Sequence, residues 1–438
     1  MDDFFAARYQ MALSLGFHII FACIGMVMPF FMAVSHYKWL RTNLEVYRNL
    51  TKAWSKGVAI FFATGAVSGT VLSFELGLLW PKFMLHAGPI FGMPFSLEGT
   101  AFFIEAIALG FFLYGWDTFN KWFHWFTGVV VGVSGLASGI LVVAANAWMN
   151  SPSGFQFKDG QYTDIDPIAA MFNDAWLSQS IHMTLAAFAA TGFAVAGVHA
   201  AMIYQKKNTE FHLKAFRIAA TFGATASLLQ PISGDHSAKD IAIRQPAKLA
   251  AMESHFETKK NAPLLIGGIP DEEHQTVKYG VEIPNMLSFL AHGDMNAEVT
   301  GLDRIPKDEH PPVAVVHYAF QIMVGIGSAL MLLSVIFFIS IWKKRWRLKQ
   351  WFLALFIIAV PLGFIAVEAG WTVTEVGRQP WIIFGVMRTA EAVTPMPGIR
   401  WSFYLFTGVY ISLSLIVIYL LHRQIKMVPM LYDKTKLP

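Results

Sequence analysis

The sequence predicts an all-α integral membrane protein that crosses the bilayer nine times. Hydrophobic residues occupy 55% of the 438 positions and charged residues only 14%, whereas soluble domains carry about 25% charged residues. Nine stretches approach the ~20 mostly apolar residues that a membrane-spanning helix needs. These stretches do not alternate between apolar and polar residues, so they predict helices rather than strands of a barrel.

The predicted spans share long apolar runs with polar residues at both ends. They cover 12–34, 57–80, 94–116, 123–147, 178–204, 214–232, 313–341, 350–371 and 399–421. We expect the first span to be retained, because Met1-Asp2-Asp3 is acidic where a cleaved signal peptide would be basic.

The distribution of Lys and Arg predicts the orientation of these spans. If the N-terminus lies outside, the inside segments carry nineteen basic residues and the outside segments six, apart from the stretch 233–312. The inside ones lie in 38–56, at 121, and in 206–217, 343–349 and 423–436. Because basic residues favour the cytoplasmic side, we expect the N-terminus outside and the C-terminus in the cytoplasm.

The stretch 233–312 is the one place where a polar composition persists. It contains helix-like sequence at 236–260 and sequence punctuated by Pro and Gly from 263 to 312. A connection of this length indicates an outer functional loop, with a disordered insertion as the alternative. We therefore divide the chain into spans one to six (1–232), the outer loop (233–312), and spans seven to nine with a cytoplasmic tail (313–438).

Composition also excludes several classes of protein. The aromatic content of 15% does not fit a disordered chain, and Cys23, as the single cysteine, does not fit a disulfide scaffold. The net charge of +4 is small and its basic residues lie mostly in loops at one face, which does not indicate nucleic-acid binding.

Ionisable residues inside the spans are the first functional candidates, because each is costly in a bilayer. They are His18 in the first span, His182 and His199 in the fifth, Glu75 in the second, Glu98 and Glu105 in the third, and Glu368 and Glu375 at the outer end of the eighth. Glu98 and Glu105 are seven residues apart, about two helical turns, and so project from nearly the same face.

Two interpretations of these residues remain open from the residues alone. An intramembrane histidine serves as readily in a helix-to-helix hydrogen bond as in metal ligation, and a methionine such as Met323 is usually a packing residue. Paired acids on one face favour a proton path or a water-lined cavity. The residues therefore indicate a membrane protein that moves protons or binds metal cofactors, and histidine with methionine would suit haem.

A set of motifs gives the sequence a more specific likeness. The segment 377–381 reads Gly-Arg-Gln-Pro-Trp and follows Gly-Trp-Thr-Val-Thr-Glu at 370–375. With these motifs the chain resembles subunit I of the cytochrome bd-type quinol oxidases. The likeness extends over essentially the whole chain, through the segments 8–12, 234–238 and 245–253. Members of this family have nine membrane helices and a long outer loop between the sixth and seventh, in agreement with the spans above.

The resemblance implies haem cofactors and their ligands. His182 and Met323 match the axial pair of the low-spin haem b558. His18 and Glu375 match the ligands of two high-spin haems, b595 and d. The sequence does not decide which of these two residues holds which haem, or whether a further b-type haem stands in place of haem d.

Other residues match the surroundings of these haems. Trp371 and Arg378 match groups that flank the high-spin centre; an interfacial Trp and a snorkelling Arg are the alternatives. Lys248 and Glu253 match loop residues implicated in quinol oxidation, in which Lys248 bonds a quinone oxygen and Glu253 takes protons. Without the resemblance, these two would indicate only a solvated helix face.

The buried acids and one departure complete the comparison with the family. Glu98 and Glu105 match acids near the high-spin haems that act in proton delivery or as an additional iron contact, although family members often space them eight apart. Gln321 stands where some members carry Arg, which should lower the potential of the low-spin haem. The outer loop lacks the insertion of the long-loop class, so the chain resembles a short-loop member, with the cyanide-insensitive branch as one candidate.

The resemblance implies an electrogenic quinol oxidase that oxidises quinol at the outer face and reduces O2 to water without pumping protons. Its partners would be quinol, O2, the lipid bilayer and a second membrane subunit, subunit II; a small accessory subunit is left open. The expected location is the bacterial cytoplasmic (inner) membrane. The alternative from another class is a non-enzymatic proton-coupled transporter or channel, against which the absence of visible repeat symmetry in the sequence counts.

Overall fold

The computed structural model describes residues 2–158, 161–207, 209–343 and 349–432. Its helices are α1 (Asp3–Thr42), α2 (Glu45–Leu79), α3 (Pro81–Tyr114), α4 (Lys121–Asn150), α5 (Pro167–Met171), α6 (Trp176–Tyr204), α7 (Thr209–Arg244), α8 (Pro246–Glu253), α9 (Met286–His292), α10 (Val313–Trp342), α11 (Gln350–Val376), α12 (Thr389–Ala392) and α13 (Ile399–Tyr432). The basic residues predicted inside at 344–347, and the tail at 433–438, lie outside the described residues.

The strands form five antiparallel pairs. They are β1 (Gln156–Lys158) with β2 (Gln161–Thr163), β3 (Lys259–Lys260) with β8 (Glu298–Val299), β4 (Leu264–Ile266) with β7 (Val281–Ile283), β5 (Ile269–Asp271) with β6 (Thr276–Lys278), and β9 (Trp381–Ile383) with β10 (Met387–Arg388). In the β4–β7 pair, Leu264 lies opposite Ile283. These short hairpins decorate a helical body.

The multi-span helical class is confirmed. Within the described residues, eight helices are long and apolar enough to cross a membrane, and they match eight of the nine predicted spans: α1, α2, α3, α4, α6, α10, α11 and α13. The predicted sixth span lies in α7, a helix of 36 residues. Its central sequence is rich in Ala, Gly, Thr and Ser and therefore only weakly apolar.

Several helices extend beyond the predicted spans. The third begins at Pro81, because a proline is well tolerated in the first turn of a helix, where its missing N–H has no intrahelical acceptor. The sixth continues past 232 to Arg244, and the eighth continues past 371 to Val376. Glu375 consequently lies on the last turn of α11 rather than beyond the helix.

Connections between helix ends define two ends of the body. One end, called the loop end, holds the start of α1, the start of α13 and the ends of α2, α4 and α7. These contacts include Asp3 with the backbone of Gly398, Thr394 with Leu79, Phe384 with Met149, and Arg244 with Asp174. At the opposite end, Arg48 lies 3.7 Å from Asp117, and Gln424 donates to the carbonyl oxygen of Ala53.

Small residues let α6 approach both α7 and α11 closely. A Cβ added at Gly192 would collide with Gly223 of α7, and one added at Gly363 of α11 would collide with Ala190. Such contacts are typical of helix packing in membranes, where dispersion rather than water exclusion drives association. The helices α6, α7, α10 and α11 thereby form one packed group.

The polar stretch 233–312 is folded, and its helical part is shorter than predicted. After α7 ends, Gln245 leaves the helical region because it precedes Pro246, and α8 then runs to Glu253. Ser254 has a φ of 49°, the left-handed conformation that ends a helix. The prediction of helix over 254–260 is therefore wrong, and this segment leads instead into β3.

Candidate functional site

His182 of α6 is oriented by a serine of α7. Its Nδ1 lies 3.0 Å from the hydroxyl of Ser233, which donates its own hydrogen to the carbonyl oxygen of Gln230. Because that hydrogen is used, Nδ1 must donate to the serine, which leaves the lone pair on Nε2. In the described structure this lone pair faces the side-chain amide of Gln230 at 3.1 Å. The neutral Nε2 is the form that ligates iron.

His18 of α1 repeats this arrangement against α2. Its Nδ1 lies 2.9 Å from the hydroxyl of Ser68, and Ser68 donates to the carbonyl oxygen of Thr64. Nδ1 is again the donor, and Nε2 again carries the lone pair. A ligand histidine commonly has its other nitrogen held in this way, which determines the tautomer and the ring orientation.

Glycines lie opposite three of the predicted ligands. A Cβ at Gly69 would lie 3.0 Å from Cε1 of His18, and one at Gly370 would lie 3.0 Å from Sδ of Met323. A Cβ at Gly234 would lie 3.6 Å from Cε1 of His182. A side chain at Gly69 or Gly370 would therefore crowd His18 or Met323, whereas one at Gly234 would make only an ordinary van der Waals contact with His182.

Glu375 is held from both sides at the loop end. Its Oε1 accepts a hydrogen bond from Asn146 of α4, and its Oε2 lies 2.6 Å from Nη2 of Arg378. The Arg378 side chain is 1% exposed, and its Nη1 has no partner among the described residues. A buried guanidinium with a free N–H fits an additional anion such as a haem propionate. Trp371 packs, half-buried, against the main hydrophobic core.

Lys248 is buried, in contrast to the solvated helix face that its sequence alone would indicate. It is 3% exposed, its Nζ donates to Oδ1 of Asn150 at 2.6 Å, and its side chain packs on Gly377. Burial lowers the pKa of Lys248 well below its usual range, Arg378 lowers it further, and Glu375 raises it. The amine is thus held at the end of α4, close to the charged residues of α11.

Glu253 contacts a different part of the molecule from Lys248, although both belong to α8. Its Oε2 is buried without a partner among the described residues, and the backbone of Leu265 in β4 bonds the carboxyl group. Burial raises the pKa of Glu253 to about 8, while the bond from Leu265 opposes the shift. The two predicted quinol residues therefore have separate surroundings.

Glu98 and Glu105 both face α4, as their spacing predicts. Oε1 of Glu98 accepts from the hydroxyl of Ser138 at 2.8 Å. Glu105 lies against Gly135, where a Cβ would come within 3.2 Å of Oε2. Since Gly135 and Ser138 are three residues apart, the two acids lie along one face of α4, where Ser138 supplies the polar contact.

A cavity of about 150 Å³ lies at the loop end beside Lys248. Its walls come from α8, from the segment 304–311 and from the segment that follows α11. The lining includes Gln245, Lys248, Arg304, Glu309, Arg378 and Trp381. Its lining surface is mostly apolar, with a few polar side chains, which suits a small ring that carries oxygen atoms.

Several residues that build this site are not indicated as functional by the sequence. The sequence marks Gln321 only as a position where some family members carry Arg. In the structure its side chain bonds the backbone of Gly267 and Leu265 and so holds the loop against α10. His317 does the same through Met252 and Gly267. The sequence marks Asn146 and Asn150 only as amides at the end of an apolar span, where amides are uncommon.

Fold and site together define a class of protein: a multi-span helical membrane protein whose histidine, methionine and carboxylate donors fit haem. The comparisons with known proteins agree. The family model "Cytochrome bd terminal oxidase subunit I" matches residues 6–429. The chain therefore belongs to the cytochrome bd terminal oxidase subunit I family.

Individual relatives support the same assignment. A chain of Bacillus subtilis strain 168 named as a cytochrome bd menaquinol oxidase subunit I is 37% identical over 96% of each chain. Cytochrome bd-II ubiquinol oxidase subunit 1 of Escherichia coli K12 is 25% identical, with 97% of this chain and 96% of that one covered. The solved bd oxidase of Geobacillus thermodenitrificans matches with a TM-score of 0.92 and 39% identity, over 97% of this chain and 98% of that one.

Family membership establishes the coarse function. The chain is a component of a terminal quinol oxidase, an enzyme of electron transport that works in the membrane with a subunit II. The family also implies haem cofactors. The alternative of a non-enzymatic transporter or channel is thereby set aside.

Proposed function

We propose that this chain crosses the bacterial inner membrane nine times, with α7 as the sixth span and the outer segment 245–312 on the periplasmic or extracellular side. Basic residues concentrate at the end of the body opposite this segment, which supports a cytoplasmic location for that end. The packing of α7 supports its assignment as a membrane span. It packs along α6, and its two ends lie at opposite ends of the helical body.

His182 and Met323 would hold haem b558, and His18 and Glu375 would hold the high-spin haems b595 and d, or a b-type haem in place of d. The observation that carries this proposal is the repeated histidine–serine–carbonyl arrangement, which presents Nε2 as a neutral ligand at both His18 and His182. When bound, these haems supply one-electron transfer and the reduction of oxygen.

At the loop end, the protein binds and orients quinol. The cavity beside Lys248 receives the ring, and the Lys248 side chain donates to a quinone oxygen. Glu253, on the opposite side of α8, accepts a proton that quinol releases, directly or through water, and passes it to the outer face. Gln321 and His317 hold the loop over α10, so both groups keep their positions.

Protons for water formation come from the opposite side. Glu105 and Glu98 lie along one face of α4 and hold protons in turn, with Ser138 as the hydrogen-bond partner of Glu98. Release outside and uptake from inside together create a membrane potential without a pumping step. Subunit II is the expected second membrane partner, and a small accessory subunit is a further candidate.

Visible spectra and oxygen uptake of the purified complex test this proposal. We expect haem b bands in the reduced-minus-oxidised spectrum, with or without a red haem d band, together with quinol-dependent oxygen consumption. Met323→Leu should remove the low-spin signal, because leucine has no donor for iron. The matched control is Met28→Leu, a buried core methionine of α1, which should leave the spectrum unchanged. A folded but colourless complex would refute the oxidase assignment for this chain.

A further inference from the structure

A continuous chain of side-chain hydrogen bonds joins Lys248 to Glu375 across the end of α4. Lys248 Nζ lies 2.6 Å from Oδ1 of Asn150, and Nδ2 of Asn150 lies 3.1 Å from Oδ1 of Asn146. Asn146 in turn donates through Nδ2 to Oε1 of Glu375. Two amides thus link the buried amine of Lys248 to the carboxyl group of Glu375.

The two ends of this chain determine its direction. Nζ of Lys248 donates at one end, and Oε1 of Glu375 accepts at the other. Asn150 must therefore turn its oxygen towards Lys248 and its NH2 towards Asn146, and Asn146 must turn its NH2 towards Glu375. Both amide dipoles align from the amine to the carboxyl group, and the bonds of such a chain polarise one another.

Neighbouring residues hold the chain rigidly. Gln245 donates to the backbone oxygen of Asn150 at 2.7 Å, and Asn150 is 4% exposed. Arg378 holds the other oxygen of Glu375 at 2.6 Å. If Lys248 moved away, a buried amide and a buried amine would both lose their partners, which is costly away from water.

We propose that Asn150 and Asn146 are positioning residues that couple Lys248 to Glu375, so that the quinol site and the redox centre at Glu375 influence each other. This inference rests on the proposed function, in which Lys248 contacts quinol and Glu375 holds a high-spin haem. Neither asparagine carries charge; each acts by holding a charged neighbour in place.

The test is a double-mutant cycle in the intact oxidase complex. The measured quantity is the midpoint potential of the haem at Glu375, from redox titration followed by visible spectra. Lys248→Met should lower this potential, because it removes the donor at the far end of the chain that polarises the amides towards Glu375. In an Asn146→Leu background, the shift caused by Lys248→Met should fall to less than half. Asn150→Leu should have the same effect and should also raise the KM for quinol about tenfold, as expected for the loss of one hydrogen bond to a charged group.

The matched control is Asn173→Leu. Asn173 is also buried and donates to the backbone of α4, at Ala144, but has no link to Lys248. The full Lys248→Met shift should persist in this background, and the low-spin haem spectrum should remain intact in every variant. If Asn146→Leu abolishes the high-spin signal, Asn150→Leu carries the test, since Asn150 makes no hydrogen bond to Glu375.

Two outcomes would overturn the inference while leaving the proposed function in place. One is a Lys248→Met shift of equal size in the wild-type and Asn→Leu backgrounds; the other is no shift at all in the wild type. Failure of the proposed function has a different signature, namely a wild-type complex that lacks haem bands or quinol-dependent oxygen uptake.

Discussion

The hydrogen-bonded network at Lys248 and Glu375 and the cation–ring contacts of the opposite end hold charged residues in different ways. In the network, Lys248 and Glu375 are joined through the buried Asn150 and the half-buried Asn146, and Arg378 pairs with Glu375. Cation–ring contacts also occur at the loop end, where Cζ of Arg388 lies 5.2 Å from the ring centroid of Trp381. At the opposite end, cations lie over aromatic rings: Lys52 Nζ is 4.9 Å from the ring centroid of Trp116, and Lys121 Nζ is 5.3 Å from that of Trp39.

This difference separates positioning from anchoring. Hydrogen bonds between buried groups demand particular distances and angles, and each lost partner leaves an unsatisfied atom. A cation over a ring face tolerates sliding, and water can replace the contact at an exposed site. The network at Lys248 and Glu375 therefore has the geometry that a reaction site requires, whereas the cation–ring contacts at Lys52 and Lys121 have the features of an anchor.

Among these substitutions, removal of Arg378 should have the largest effect on the stability of the complex and on its haem content. Arg378→Leu removes the buried cation beside Glu375, whose side chain is 30% exposed, and should destabilise the complex by about 2 kcal/mol, because the carboxyl group loses its ion-pair partner. We also expect loss of the high-spin haem signal, with partial recovery in Arg378→Lys. Thermal unfolding of the detergent-solubilised complex and its visible spectrum measure both effects.

Arg388→Leu is the matched control for this prediction. Arg388 also lies 2.6 Å from a carboxylate, that of Asp308, but the two side chains are 35% and 65% exposed. An exposed pair of this kind contributes at most about 1 kcal/mol. Equal destabilisation by the two substitutions would mean that burial does not distinguish the loop-end network.

The pH dependence of quinol oxidation should follow the ionisation of the Glu253 carboxyl group. Its pKa of about 8 means that the carboxyl group is largely protonated at neutral pH and cannot accept a proton until it ionises. The rate, as kcat/KM for quinol, should therefore rise with pH up to about 8 and fall about tenfold per unit well below that value. Steady-state oxygen uptake between pH 5 and pH 9 gives the profile.

Two substitutions distinguish the contribution of this carboxyl group from that of a nearby acid. Glu253→Gln should reduce the rate and remove the inflection, since an amide cannot take the proton. Glu257→Gln changes an exposed acid four residues further along the chain and should leave the profile unchanged. An inflection that survives in Glu253→Gln would assign the proton acceptor to another group.

Loss of an aromatic-bound cation at the opposite end should have the smallest effect. Lys52→Gln removes the contact with Trp116 and should cost about 0.5–1 kcal/mol, the range for exposed cation–ring pairs. Haem content and quinol oxidation should be unchanged, as thermal unfolding and activity measurements on the same preparation would reveal. A loss of haem bands would contradict the division between positioning and anchoring ends.

Much of the architecture follows from the sequence because hydropathy acts locally. Each apolar run predicts its own helix, and the weakly apolar run 214–232 already predicted the membrane part of α7. The rarity of ionisable residues in the spans also brought out His18, His182, Glu98 and Glu105. The serines that orient the two histidines could not be found in this way, because an isolated Ser in a span is common and uninformative.

The sequence by itself determined the membrane class, the approximate helices and the few polar residues that lipid makes costly. Only the tertiary structure decided which of those residues meet. Lys248 finds Asn150 98 positions away, and Asn146 finds Glu375 229 positions away. Whether a segment spans the membrane depends on the residues next to each other in the sequence. A hydrogen bond between distant residues depends instead on where two helices place the donor and the acceptor, and helix packing determines that placement.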